Sequence, residues 1–567
     1  MKITTAIWLL AALLASACTS DNPAKDADLV ILGGSVVTMN PAQPRAQALA
    51  VQGGKIVYVG DDEHARSLAG KKTRVVKLDG ATVLPGLIDA HIHLMEGALD
   101  LEICTLGDVQ LSVAQVTPII RDCAARPPGM GWVIARGLNT ADFHADREAI
   151  DAIVPDRPLY MGSADGHSAW VNSAALKLAH IDRNTANPEN GRIGRDSKGE
   201  PTGFLMDSAV SLVYPILEKP TPEKREKLLI SALHDVAAVG ITTLMEANTG
   251  AETVHTYVEL ARKQQLHARV TLALGTDGHA TDEEFARLKE LRRLAESAPQ
   301  LRADIIKIFN DGVMEFPTQT AAMLEPYLDD KGKSTKNLGP TFHEPVELAK
   351  FVRRADQEGY GVHIHAIGDR ATRDALDAFA DARAHGSKRS YSIAHLELVD
   401  PKDLPRFRAF DVIACVQLQW AQPDNYSVDA VLPYIGAERQ SRLYPARSLI
   451  AAGATISGGS DWSVSTYNPF EAIAVAMSRV NPDQPQRGAL GENEKLKLRE
   501  MLAAYTINAA RQLQREAEVG SLEAGKAADI VVLDRHFDDS SSVADVRGTK
   551  VVYTFQNGAM QIGPAGP

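Results

Sequence analysis

Two histidines one residue apart, His91 and His93, close the apolar run Leu84-Pro85-Gly86-Leu87-Ile88-Asp89-Ala90-His91-Ile92-His93. In an extended chain residues i and i+2 share a face, so both imidazoles can meet one cation. Alone the pair is weak, because a hydrogen-bonded core histidine is commoner than a ligand. Four further apolar runs carry ligand-type residues near their ends: Lys307 in Asp304–Asn310, His365 in His363–Asp369, His395 in Ile393–His395 and Asp461 in Ser457–Asp461. Coincidence is a poor account of five such runs in one chain. The donor set is nitrogen and oxygen, which suits zinc first, with Mn, Fe or Co as alternatives. His363 shares a strand face with His365, so it is an outer hydrogen-bonding neighbour, a substrate contact or, with the register shifted, the ligand itself.

Something must hold these ends together. Eight buried-strand candidates, Thr82–His93, Gly240–Glu246, Ala268–Leu274, Asp304–Asn310, Gly361–His365, Ser390–His395, Val412–Trp420 and Thr455–Asp461, alternate with helical patterns such as Glu226–Val239, Pro345–Glu358 and Arg370–Ala384. That alternation predicts an α/β protein with a (β/α)8 TIM barrel, whose active sites form at the C-terminal ends of the strands. Short β-type runs at both ends, Leu29–Leu32 to Arg74–Leu78 and Asp529–Leu533 with Thr549–Gln556, read as a small composite β-sandwich domain, the N-terminal ones as hairpins of a small antiparallel sheet. The expected division is 28–81 with 515–560 for the small domain and 82–514 for the barrel, with an insertion at about 97–224 over one mouth.

The chain has 567 residues and a formal charge of −12, an acidic balance that disfavours nucleic acid as a partner. Four cysteines exclude a disulfide scaffold; Cys104, Cys123 and Cys415 have no metal spacing and read as buried small residues or at most one disulfide. Residues 1–17 read as a secretory signal too short to span a bilayer. Leu14-Ala15-Ser16-Ala17-Cys18 resembles a bacterial lipoprotein box, with Ala where Leu is usual three places before the Cys; the alternative is an ordinary signal peptide. The first reading predicts a lipid on Cys18, a polar tether over 18–27 and a periplasmic protein of a Gram-negative bacterium anchored to the outer membrane. No other segment is expected to touch a membrane.

On these motifs, with Lys307–Gly312, His363–Ala371, Asp165–Ser173 and the closing Gly520–Ile530, the chain resembles the amidohydrolase superfamily, in its YtcJ-like branch typified by N-substituted formamide deformylase. The resemblance covers about Asp28 to Met560. It implies two divalent metal ions, one held by His91, His93 and Asp461, the other by His365 and His395. An ammonium cannot ligate a cation, so Lys307 contributes only if neutral or, as the resemblance implies, carboxylated by CO2 to a bridging carbamate; its alternative is a buried pair with an acid such as Asp311. Asp461 is then the general base for a metal-activated hydroxide attacking an amide-type C–N bond, not a peptide bond, of a small molecule. Asp165, His167, His363 and Trp420 are candidate substrate contacts, set against roles as structural or core residues. The resemblance mildly favours a homodimer. Two other functions fit: a mononuclear deaminase of the same superfamily, for which a carbamate is unnecessary, and a non-catalytic, metal-binding periplasmic lipoprotein. N-formyl amines, N-acyl amino acids, cyclic amides and aryl amides all suit the chemistry.

Overall fold

The computed structural model describes residues 26–564, apart from 102, 108, 126–130, 140–142 and 218–219; the expected signal segment and Cys18 lie outside the described residues. Eight parallel strands form one sheet in sequence order: β1 (Leu87–Ile92), β2 (Ile241–Thr249), β3 (Arg269–Gly275), β4 (Leu301–Phe309), β5 (Gly361–Ala366), β6 (Tyr391–His395), β7 (Val412–Val416) and β8 (Thr455–Gly458). Every residue of β1, β5, β6 and β7 is buried, which is why these strands read as continuous apolar runs rather than alternating ones. The ring is completed just past β8, where Asp461 N–H donates to His91 O at 2.8 Å and His93 N–H to Trp462 O at 2.9 Å. The barrel expected from eight strand signals is therefore present.

Its helices follow local chemistry. Helix α1 (Pro222–Ala238) starts earlier than the periodicity suggests, because the Thr221 side chain accepts from Lys224 N–H and Pro222 suits the first turn. Helix α2 (Pro345–Gln357) buries Leu348, Phe351, Val352 and Ala355, an i, i+3, i+4, i+7 stripe. Helix α3 (Asp369–Ala384) packs beside it, carrying the basic residue Arg383 in its last turn.

Two strand expectations need correction. Thr82–His93 is not one strand: Thr82–Pro85 pairs with Ser35–Val37 and Ile530–Leu533 of the small domain, and β1 begins after Gly86. A Cβ at Gly86 would lie 2.1 Å from Thr242 Oγ1, so the crossing between domains needs glycine there. Nor is the N-terminal sheet purely antiparallel: Ala27–Leu32 pairs parallel with Ala69–Lys77, because the short helix Asp62–Ser67 provides a crossover that a tight hairpin cannot. A four-stranded and a six-stranded sheet bury Leu29, Ile31, Val36, Val51, Ile530 and Phe555 in one core, drawing strands from both ends of the chain.

Within 97–224 the chain builds its own six-stranded sheet, from Cys104–Thr105 at one edge to Gly191–Arg195 at the other. A disulfide between Cys104 and Cys123 ties that edge to the helix Val113–Ala125, while Cys415 is buried and free. Arg136 of the same sheet clasps the barrel, reaching Glu96 at 2.7 Å and Asp100 at 3.0 Å on the helix Leu94–Asp100 that follows His93. Among the described residues no helix is long and apolar enough to cross a membrane.

Candidate metal centre

His91 ends its side chain inside the barrel, and His93, just beyond β1, turns the same way, as strand alternation requires. Both Nε2 atoms stand 3.1 Å from one oxygen, Asp461 Oδ1. That oxygen is buried and has no hydrogen bond of good geometry. Two imidazoles and a carboxylate gathered within 4.8 Å form a donor set that fits a divalent cation. A second triplet, His91, His363 and Cys415, is also compact. It fits a cation poorly, because burial pushes the Cys415 thiol up to about 12 and His363 Nε2 already faces His91 Nδ1 at 2.8 Å.

The approach of β8 to β1 is what places Asp461. A Cβ at Gly459 would come 2.7 Å from His91 Cβ, so Gly459 lets the two chains close. Asp89, two residues before His91, accepts from His91 N–H and Ser460 N–H, each at 3.1 Å, and locks the seam. Asp461 itself has φ +54°, and at the end of β6 His395 and the following Leu396 have φ +76° and +53°. Left-handed backbone at non-glycine residues costs on the order of 1–3 kcal/mol each and gathers where geometry matters more than comfort.

Lys307 on β4 is completely buried, with Nζ 3.4 Å from His91 Nε2 and 4.5 Å from the centre of the Phe309 ring. The alternative pairing with Asp311 is not found. Asp311 instead accepts from the N–H groups of Ala322, Ile367 and Gly368. Among the described residues Lys307 has no carboxylate within ion-pair distance, and burial lowers its pKa to about 8, against a smaller opposing pull from Asp461.

His365 and His395 lie alongside, their ring centres 4.4 Å apart and His395 5.0 Å from His91. His365 Nε2 faces Gly312 O at 3.1 Å, which leaves Nδ1 for a ligand; His395 Nδ1 is buried and has no hydrogen-bond partner among the described residues. Gln417 Oε1 accepts from His395 N–H at 2.9 Å and fixes the strand end. Trp420 lies nearly parallel to the His395 ring, 5.4 Å away and half-buried, at the wall of the site.

The insertion delivers His167, whose ring lies 5.3 Å from that of His365 and whose Nδ1 faces Asp207 Oδ1 at 2.9 Å. Asp165 accepts from Ser163 Oγ and, at 2.8 Å, from His167 N–H, so it shapes the turn that presents His167. Asp207 and Glu246 went unrecognised in the sequence. Glu246, near the end of β2, accepts from Tyr257 Oη at 2.5 Å and from Met95 N–H at 3.2 Å, capping the helix that follows His93. A glutamate closing the apolar run Gly240–Glu246 is a faint signal; Asp207 offered none.

The charges suit a cation. Burial drives His91 down to about 3, assisted by Lys307, and holds His365 and His395 well below the usual imidazole range. These rings are neutral, as ligands must be. Burial alone would raise Asp461, but His91 and His93 outweigh it and hold the carboxyl well below its ordinary value. Burial would lower His93 as well, but its contact with Asp461 outweighs this and raises it; the centre thus presents the lone pairs of His91, His365 and His395 and the negative charge of Asp461.

The amidohydrolase family model designated Amidohydro_3 matches residues 74–560. N-substituted formamide deformylase of Arthrobacter pascens is 30% identical over 94% of this chain and 98% of its own. Putative amidohydrolase YtcJ of Bacillus subtilis is 27% identical over 88% of this chain and 93% of its own. An uncharacterized metal-dependent hydrolase from Pyrococcus furiosus has the same fold, with a TM-score of 0.68 at 24% identity over 89% of this chain and 99% of that one. The family model over most of the chain and the 30%-identical deformylase, matched by a barrel whose strand ends gather histidines, an aspartate and a buried lysine, make the chain a member of the amidohydrolase family.

Proposed function

We propose that this protein hydrolyses a non-peptide, amide-type C–N bond of a small molecule, with two divalent cations, zinc first, held by His91, His93 and Asp461 and by His365 and His395. The observation that carries this reading is the convergence of His91 and His93 on Asp461 beside a buried Lys307 that, among the described residues, lacks an acidic partner. Lys307, carboxylated at Nζ by CO2, would contribute to both cations; its lowered pKa supports this, since only the free amine attacks CO2. Bound divalent cations supply an acidified water and polarise a carbonyl.

The chain's own residues do the rest. The Asp461 carboxylate takes a proton from the attacking water and returns it to the leaving nitrogen as the C–N bond breaks and the carbonyl carbon gains the oxygen. His167, beside His365, and Trp420, beside His395, line the site and are placed to orient the substrate; Asp165 supports His167. The name of the Arthrobacter relative makes N-formyl amines the first substrates to try. Hydrolysis of N-formyl, N-acyl, cyclic and aryl amides with Zn and Mn tests the reading; a metal-loaded protein that hydrolyses none of these while Asp461→Asn binds ligands unchanged overturns it.

One observation favours the mononuclear deaminase: among the described residues His365 and His395 do not join a three-ligand group, whereas His91, His93 and Asp461 do. Lys307 beside His91 weighs against it, because a single cation has no need of a bridging group. The reading includes export to the periplasm on a lipid carried by Cys18. The Cys104–Cys123 disulfide supports an oxidising compartment.

A further inference from the structure

β4, β5 and β6 run in register, so Lys307 pairs laterally with His363, and His363 with Ser392. Laterally paired residues of parallel strands point the same way, which sets Lys307, His363 and Ser392 in one inward layer beside His91. His363 Nε2 stands 2.8 Å from His91 Nδ1, and His363 Nδ1 2.7 Å from Ser392 Oγ. All three groups are buried, His91 and His363 completely and Ser392 to 2% exposure. Burial matters, because a broken link in such a chain leaves a polar atom without a partner.

We propose that His363 is a positioning residue, neither ligand nor substrate contact, and that His91, His363 and Ser392 form a relay that selects the metal-binding tautomer of His91. When the proton sits on His91 Nε2, facing Asp461 Oδ1 at 3.1 Å, His91 Nδ1 accepts from His363 Nε2–H and His363 Nδ1 accepts from Ser392 Oγ–H. When His91 Nε2 offers its lone pair to a cation, the order reverses: His91 Nδ1–H donates to His363 Nε2, and His363 Nδ1–H donates to Ser392 Oγ. One proton leaves at His91 Nε2 and one is regained at Ser392 Oγ, so all three groups stay neutral in both states. Serine suits the end of the relay because a hydroxyl both donates and accepts.

The inference rests on a cation at His91, His93 and Asp461. The test is zinc affinity of the full-length protein, by competition with a chromogenic chelator, for wild type, His363→Phe, His363→Gln and Ser392→Ala. His363→Phe should weaken zinc by about 10- to 100-fold, the range for removing the outer partner of a ligating histidine. His363→Gln, whose Oε1 can still accept from His91 Nδ1, should recover most of that loss. Ser392→Ala should cost several-fold, and KM for an amide substrate at saturating zinc should stay unchanged. Absorption of the Co(II)-substituted protein reads the number of imidazole ligands, which should not change in His363→Phe. Wild-type affinity in both His363→Phe and Ser392→Ala would overturn the relay. A lost imidazole ligand would make His363 a ligand, and a raised KM at unchanged affinity would make it a substrate contact. If His363→Phe fails to fold by circular dichroism, Ser392→Ala and His363→Gln decide. A wild-type protein that binds no zinc would instead remove the functional reading beneath the relay.

Discussion

Carboxylation of Lys307 can be tested through its pH and CO2 dependence. Only the neutral amine reacts with CO2, and burial sets the Lys307 pKa at about 8 against an ordinary 10.5. At about pH 7.5 roughly a quarter of Lys307 is then neutral, against roughly one in a thousand for an exposed lysine, a gain of about 200-fold. The sign follows from a lowered pKa: the neutral fraction rises from roughly 3% at about pH 6.5 to about half at pH 8 and flattens beyond pH 9. At a fixed concentration of dissolved CO2, metal-free protein reconstituted with zinc should therefore regain activity faster than in CO2-free buffer, along that curve. Loading with 13C-labelled bicarbonate should give one carbamate carbon signal that Lys307→Ala lacks. Lys307→Ala should hold fewer metals and lose about 100-fold or more in kcat, with part restored by a small carboxylate such as acetate filling the space of the side chain. Reconstitution that ignores CO2, together with a fully active Lys307→Ala, would exclude a carboxylated Lys307.

Asp461→Asn keeps the shape but removes the charge and the proton acceptor; kcat should fall by about 10²–10⁴-fold and one metal should be lost, as read by steady-state kinetics and elemental analysis. Gly459→Ala should disrupt metal binding without unfolding the small domain, because its Cβ would press against His91 at 2.7 Å; unchanged metal content would count against the seam. Opening the Cys104–Cys123 disulfide frees a link with a sequence separation of 19 residues, worth about 3 kcal/mol to the insertion by chain entropy. A reductant should therefore speed limited proteolysis within 97–224 while the barrel stays intact. Arg136→Met leaves Glu96 and Asp100 facing each other near His93, so it should raise KM and loosen the same region in hydrogen exchange.

The barrel was legible because its strands are buried on both faces and leave uninterrupted apolar runs, and the candidate ligands stood out because each sits near the end of such a run. The break at Gly86 was not, since nothing in the run Thr82–His93 says that its first half pairs with strands more than four hundred residues later. The parallel pairing of Ala27–Leu32 with Ala69–Lys77 was hidden in a short helix that reads as a turn. At the site, alternation placed His91, His93 and His363 on the correct faces but could not tell which neighbour each imidazole nitrogen would meet. That choice is made across strands, by Asp461, Ser392 and Gly312. Glu246 and Asp207 act on residues far away in sequence, and no local pattern marks such roles.

Counting the metals decides between two cations, one and none. Elemental analysis of the purified protein, paired with amide hydrolysis before and after chelation, should give about two divalent ions per chain, with activity lost on chelation and restored by zinc. A single ion, unaffected by Lys307→Ala, or amide hydrolysis that survives complete removal of metal, would contradict the account.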